Sequence, residues 1–198
     1  MSDEFHGITP IPVGPSFFMM IAGPSGSGKS TLAVYYAQEL DEKLGPVLYV
    51  ALEEGHGQPI GDRFSRAGLT SVTVHVGLLS SCEDILAAAK EVGAKTIIYD
   101  SFSMMKVSFH DLARVAREGD IRVSILVNHC TKKLGPDGKQ DIAGKHEVFY
   151  YMDSVIYVHA EPRWHYETLK SRQKEFLHGE VKPIPVGWIG GDECNSTS

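Results

Sequence analysis

The chain has 198 residues, 42% hydrophobic and 22% charged, a balance that gives one soluble globular domain with a real core and leaves little room for a second. Its net charge of −6 argues against a surface built to coat nucleic acid, while leaving space for a local basic patch. Cys82, Cys130 and Cys194 form no CxxC pair, which excludes a cysteine zinc site or a disulfide framework; with no bilayer-length apolar run and no basic-then-apolar leader, a cytoplasmic protein with no membrane partner is expected.

After an N-terminal extension over residues 1–15, Ser16–Ala22 (SFFMMIA) reads as a buried parallel strand that stops at glycines. Thr31–Leu40 carries helical spacing, and Pro46–Ala51 (PVLYVA) and Val72–Val76 read as the next two strands. Ser81–Val92 is a helix with Ser81 as N-cap, Asp84 at the third position after it and Gly93 as the stop. Thr96–Asp100 (TIIYD) and Val123–Val127 (VSILV) are strands, with a helix over Phe109–Arg117 between them. Strands alternating with helices imply βαβ units and a mostly parallel sheet flanked by helices, an α/β fold.

Beyond Thr131 the rhythm breaks. KKLGPDGKQDIAGK reads as a long exposed loop. Phe149, Tyr150 and Tyr151 look like the core face of a short helix. Ser154–His159 and Trp164–Lys170, joined by a turn at Glu161-Pro162-Arg163, read as an antiparallel extension of the sheet, and residues 190–198 as a frayed polar tail. The whole chain is thus expected to be a single domain.

The chemistry concentrates in GPSGSGKST: Gly23, Pro24, Ser25, Gly26, Ser27, Gly28, Lys29, Ser30 and Thr31. The stretch satisfies G-x-x-x-x-G-K-S between a strand and a helix, the setting this phosphate loop requires. Glycines at 26 and 28 let the backbone curl so that N–H groups point inward at phosphate oxygens, and the helix N-terminus adds its partial positive charge. Lys29 supplies a point charge to the β- and γ-phosphates of ATP, and the Ser30 hydroxyl is a ligand for Mg²⁺. A glycine-rich turn that binds nothing is the bland alternative.

A metal–nucleotide site also needs a carboxylate at the end of a neighbouring strand. Asp100, closing TIIYD, fits that role, though an aspartate there also simply starts turns. Glu53 and Glu54 follow PVLYVAL at what would be the ligand side of a parallel sheet. Either could orient or deprotonate an attacking water, and the pair reads equally well as a solvated acidic turn.

In their order, GPSGSGKST, VLYVALEE, TIIYDS, ILVNHCTK with IAG after a loop, YYMDSVIYV and LKSRQKE resemble the RecA-like ATPases, in the branch that groups RadA (Sms), DnaB-type replicative helicases and KaiC. The resemblance runs from about Ser16 to Ile189 and is strongest to RadA. It implies a Mg²⁺-dependent ATPase of RecA type, with Glu53 as catalytic base and Glu54 able to share the role. It places a γ-phosphate sensor near Asn128 and His129, where the residues alone allow a strand-capping histidine. Lys170-Ser171-Arg172 is similar to the KxR element that reaches the neighbouring subunit's γ-phosphate in the manner of an arginine finger; on its own it is a basic strand end. The resemblance further implies a homo-oligomer, a hexameric ring, acting on single-stranded DNA with replication or recombination proteins as partners, and a translocase or helicase activity.

The departures are equally specific. Neither the cysteine zinc finger nor the protease-like domain of RadA has a counterpart in these residues, KNRFG appears as KSRQKE, and the segment after Asp100 is short. Lys132, Lys133, Lys139 and Lys145 are left as candidates for DNA phosphates, or as plain surface charge. A KaiC-like switch acting on a protein partner keeps the fold and drops the DNA. A small-molecule (nucleotide) kinase fits the length, but the loop after Thr131 has no arginine for a lid.

Overall fold

A computed structural model describes residues 3–5, 9–11, 16–52, 58–66, 74–77, 79, 81–134, 140–142, 150–159, 165–172 and 181–183. In chain order its elements are β1 (Asp3–Phe5), β2 (Thr9–Ile11), β3 (Phe17–Gly23), α1 (Lys29–Leu44), β4 (Val47–Ala51), α2 (Gln58–Arg66), β5 (Val74–Gly77), α3 (Cys82–Val92), β6 (Thr96–Asp100), a 3₁₀ turn (Phe102–Met104), α4 (Phe109–Glu118), β7 (Val123–Leu134), β8 (Gln140–Ile142), β9 (Ser154–His159), β10 (His165–Ser171) and β11 (Val181–Pro183). The strands β1 and β2 pair with each other alone. The main sheet runs β11-β10-β9-β3-β7-β6-β4-β5, parallel from β9 to β5 and antiparallel at β10 and β11, with β8 paired to β7. This is the expected mostly parallel α/β sheet with an antiparallel C-terminal extension.

Side chains alternate across the sheet, and each face has its own core. On one face Met19, Ile21, Tyr49, Ala51, Ile98 and Ile125 meet α1, whose Leu32, Ala33, Tyr36, Ala37 and Leu40 recur at helical spacing. On the other, Met20, Leu48, Ile97, Tyr99 and Leu126 meet α3 and α4 through Ile85, Leu112 and Val115. The helix α3 begins as expected: Ser81 Oγ accepts from the Asp84 N–H at 3.1 Å, and Gly93 closes it at φ 66°. A capping box of Ser108 and Asp111 starts α4.

Several expectations are corrected. The helix α1 begins at Lys29 and outruns Leu40 by a turn, its polar end carrying a Glu39–Lys43 pair at 2.9 Å before Gly45 turns left-handed at φ 104°. The helix α2, the 3₁₀ turn and the short strands β1, β2, β8 and β11 carry too little periodicity to be read from the sequence. The strand β7 continues past Val127 through Lys133 to Leu134, and β8 returns along it with Cys130 opposite Ile142 and Leu134 opposite Gln140. A β-ribbon therefore replaces part of the expected loop, because antiparallel pairing satisfies its backbone without any need for an apolar sequence. Tyr150 and Tyr151 are helical but not core: they are 73% and 53% exposed, and Met152 takes the buried position. The Glu161-Pro162-Arg163 turn, Phe149 and the polar tail lie outside the described residues. Among the described residues no helix is long and apolar enough to cross a membrane.

Candidate nucleotide site

The loop between β3 and α1 has the shape that anion binding requires. Gly26 and Gly28 adopt left-handed backbone at φ 75° and 86°, which a residue with a Cβ resists, and Gly28 sits at the N-cap of α1 without a side-chain cap. Ser25 and Gly26 are exposed at the loop's outer bend, Pro24 and Thr31 half-buried. Ser27 is fully buried, and its Oγ has no hydrogen-bond partner among the described residues. Lys29 is buried too, and its ammonium folds back over the loop to donate to the Pro24 carbonyl at 2.5 Å. At the loop's root, Gly23 is squeezed against β9: a Cβ there would lie 2.5 Å from the Val158 carbonyl oxygen and 2.7 Å from Ser27 Oγ.

Beside this cradle the Ser30 hydroxyl donates to Asp100 Oδ1 at 3.1 Å. Asp100 is buried at the C-terminal end of β6, opposite Ala51 of β4, and its second oxygen accepts from the Tyr49 hydroxyl at 2.7 Å. Chain reversal follows at once, with Ser101 left-handed at φ 65°. Two hard oxygen donors thus converge at the mouth of a phosphate-shaped loop, the donor type that Mg²⁺ prefers. Ser30 and Asp100 fit the metal role. Tyr49 was not singled out by sequence reasoning; the available signal is a lone phenol in the aliphatic strand VLYVA, since a buried tyrosine hydroxyl needs a partner.

The other candidates fall into three groups. Glu53 and Glu54 follow β4 in the chain but lie outside the described residues, as do Lys139 and Lys145. Asn128 is buried, His129 is half-buried, and the β3–β7 register sets Ala22 and Gly23 beside them. By alternation His129 shares the face of Ile125 and Val127, the one that carries α1. Lys132 and Lys133 belong to the β7–β8 ribbon.

Lys170 and Arg172 are not at this loop. Lys170 pairs with Val155, and Val155 with Met20, so it stands three residues short of the level of Gly23, about 10 Å along the strands and two strands aside. A register shift between Thr168 and Lys170 re-aims the strand at that point. Lys170 Nζ and Arg172 Nη2 both donate to the Tyr150 carbonyl, at 2.9 and 3.0 Å, and Arg172 Nη1 holds Asp153 Oδ1 at 3.2 Å. Partial burial, then the adjacent Arg172 charge, keep the Lys170 ammonium below the usual lysine range, against the pull of Asp153. Asp153 is a second residue that the sequence did not flag. Its Oδ2 accepts from the Phe18 N–H at 2.9 Å, its N–H donates to the Phe18 carbonyl at 2.8 Å, and its carbonyl accepts from the Arg172 N–H at 2.8 Å.

No protein-family model matches the chain. It is 30% identical over 177 residues to the DNA repair protein RadA of Brucella abortus, covering 80% of this chain and 36% of that protein. It is 25% identical over 188 residues to RadA of Bacillus subtilis (87% and 39%), and 26% identical over 198 residues to RadA of Salmonella typhimurium (92% and 41%). The chain therefore spans well under half the length of these curated relatives. Among solved structures, a DnaB-like ATPase domain superposes with a TM-score of 0.63 at 14% identity, over 84% of this chain and 79% of that one, which shows a shared fold.

Proposed function

The chain carries a RecA-like core of the RadA/DnaB type, and on that footing we propose that it is a Mg²⁺-dependent ATPase that hydrolyses ATP between the subunits of a ring or filament, acting on single-stranded DNA in recombination, repair or replication. The observation that carries the ATPase reading is the 3.1 Å contact of Ser30 with Asp100 at the mouth of the loop that holds Lys29.

The triphosphate lies in the cradle of residues 23–31, bound by backbone N–H groups and the α1 N-terminus, with the Lys29 ammonium moving from Pro24 to the β- and γ-phosphates. Mg²⁺, held by Ser30 and Asp100, would neutralise charge on the phosphate oxygens. Glu53, or Glu54 beside it, takes the proton of the attacking water, and His129, level with Gly23, senses the γ-phosphate. Lys170 and Arg172 stabilise the transition state on the next subunit's nucleotide. Their distance from their own loop supports that assignment, since neither side chain spans it. A head-to-tail contact of this kind closes into a ring, a hexamer by the family resemblance, or continues as a filament. Lys132, Lys133, Lys139 and Lys145 on and after the β7–β8 ribbon would bind DNA phosphates.

The test is ATP turnover with and without single-stranded DNA, alongside the assembly's mass. Turnover that Lys29→Ala abolishes and DNA stimulates is expected, with the stimulation lost when the four lysines become alanine and the salt dependence of binding reduced. Turnover untouched by DNA at any length would remove the DNA part and favour a switch acting on a protein partner. A monomeric protein that hydrolyses ATP at full rate would remove the assembly.

A further inference from the structure

We propose that Tyr49 is a positioning residue for the Asp100 carboxylate, holding it in the orientation in which it and Ser30 take a divalent cation; the inference rests on the ATPase reading above. Tyr49 is fully buried in β4 between aliphatic neighbours, where a phenylalanine would pack equally well. What a phenylalanine lacks is the hydroxyl, and that hydroxyl reaches from β4 to β6 to donate to Asp100 Oδ2 at 2.7 Å. The two strands are paired with Tyr49 opposite Ile98 and Ala51 opposite Asp100, so the phenol leans one side-chain position along the common face to make the bond. Phe64 of α2 packs edge-on against the ring at 5.4 Å and fixes its direction.

The carboxylate is thereby divided between two hydroxyls, Ser30 on Oδ1 and Tyr49 on Oδ2. The two bonds differ in permanence. A serine hydroxyl that serves a cation turns its lone pair toward the ion, so the Ser30 contact is the exchangeable one. The Tyr49 contact sits on the far oxygen and persists, and it sets the plane of the carboxylate so that Oδ1 stays toward Ser30. Partners of this kind, which orient a metal ligand without touching the metal, are commonly worth about 10–100-fold in metal affinity or activity. The bond also ties the metal carboxylate to the strand that leads into Glu53 and Glu54.

The experiment titrates Mg²⁺ against binding of a non-hydrolysable fluorescent ATP analogue to the full chain, in the wild type, Tyr49→Phe and Asp100→Asn, with melting curves for each. Tyr49→Phe is expected to raise the Mg²⁺ concentration for half-maximal binding about tenfold, while its affinity for the analogue in chelator stays that of the wild type. A Mg²⁺ requirement within about twofold of wild type, in a background where Asp100→Asn does raise it, would overturn the inference. If Asp100→Asn moves nothing, the metal reading itself fails. Should Tyr49→Phe not fold, Phe64→Leu keeps the hydroxyl and loosens the ring; a raised Mg²⁺ requirement supports the role, and an unchanged one overturns it.

Discussion

Replacing Arg172 with alanine separates the two jobs open to its guanidinium. Within its own chain it holds Asp153 at 3.2 Å and the Tyr150 carbonyl at 3.0 Å, with 55% of the side chain in solvent. An ion pair so exposed is worth about 1 kcal/mol or less, so the melting temperature should fall by no more than about 2–4 °C. Set against a neighbour's γ-phosphate, the same group is worth about 10³–10⁵ in turnover, or about 4–7 kcal/mol of barrier. The catalytic effect should therefore dwarf the structural one. Arg172→Ala should bind ATP normally and turn over at least about 10³-fold more slowly. It should then be mixed with Lys29→Ala, which has an intact finger and no working loop. Random equimolar assembly leaves about one quarter of the interfaces with a sound loop facing a sound finger, and turnover should recover toward that fraction. A mixture that stays silent at every ratio while the two proteins co-assemble would refute the reasoning.

Glu53→Gln should keep ATP affinity and lose hydrolysis, while Glu54→Gln should lose little; single-turnover kinetics check this, and the reverse pattern moves the base to Glu54. Gly23→Ala places a methyl carbon 2.5 Å from the Val158 carbonyl, where the backbone cannot yield cheaply, so a loss of about 1–3 kcal/mol is expected together with weaker nucleotide binding. Chemical denaturation reads the first and analogue titration the second; a variant with both values unchanged would show that β9 does not brace the loop. The Ser108 hydroxyl first, then its N–H, hold the Asp111 carboxyl below the usual range. A depressed folded value gives stability that is present above the unfolded pKa and lost as pH falls through the folded one. Asp111→Asn should thus melt lower than wild type at neutral pH, with the gap closing through the carboxylate range; a gap independent of pH would count against it.

Much of this arrangement is legible in the chain, for physical reasons. The loop GPSGSGKST needs residues of fixed type at fixed spacing, and strands such as TIIYD, buried on both faces, need unbroken apolar runs. What escapes is anything decided by partners distant in sequence. Lys132, Lys133 and Leu134 look like loop until Gln140 and Ile142 pair with their strand, and Tyr150 and Tyr151 look like core until Met152 occupies the buried place. Tyr49 and Asp153 give no signal until the sheet brings Asp100 to one and Phe18 with Arg172 to the other.

The register of β9 and β10 bears most on mechanism, because motif order alone gives Lys170 and Arg172 no address. Ser171 pairs with Ser154 and Ser154 with Met19, so the cations lie toward the edge of the sheet where β3 begins, while the phosphate loop lies where β3 ends. One strand therefore carries both halves of the proposed composite site, one at each end. Asp153 fastens the finger half to it, its N–H donating to the Phe18 carbonyl and its carboxylate accepting from the Phe18 N–H. A buried strand paired on both sides is among the stiffest elements a protein has. Any displacement of the loop on hydrolysis would then reach the finger without slack, and through it the neighbouring nucleotide. On this reading Asp153→Asn, which can keep the Phe18 bond and drops the charge that steers Arg172, should leave the first turnover in an assembly intact and weaken the coupling between successive sites. Comparing the Hill coefficient of turnover against ATP in Asp153→Asn and wild type decides it: a lower coefficient at similar maximal rate fits a strand that transmits, and an unchanged coefficient would mean that the finger works without it.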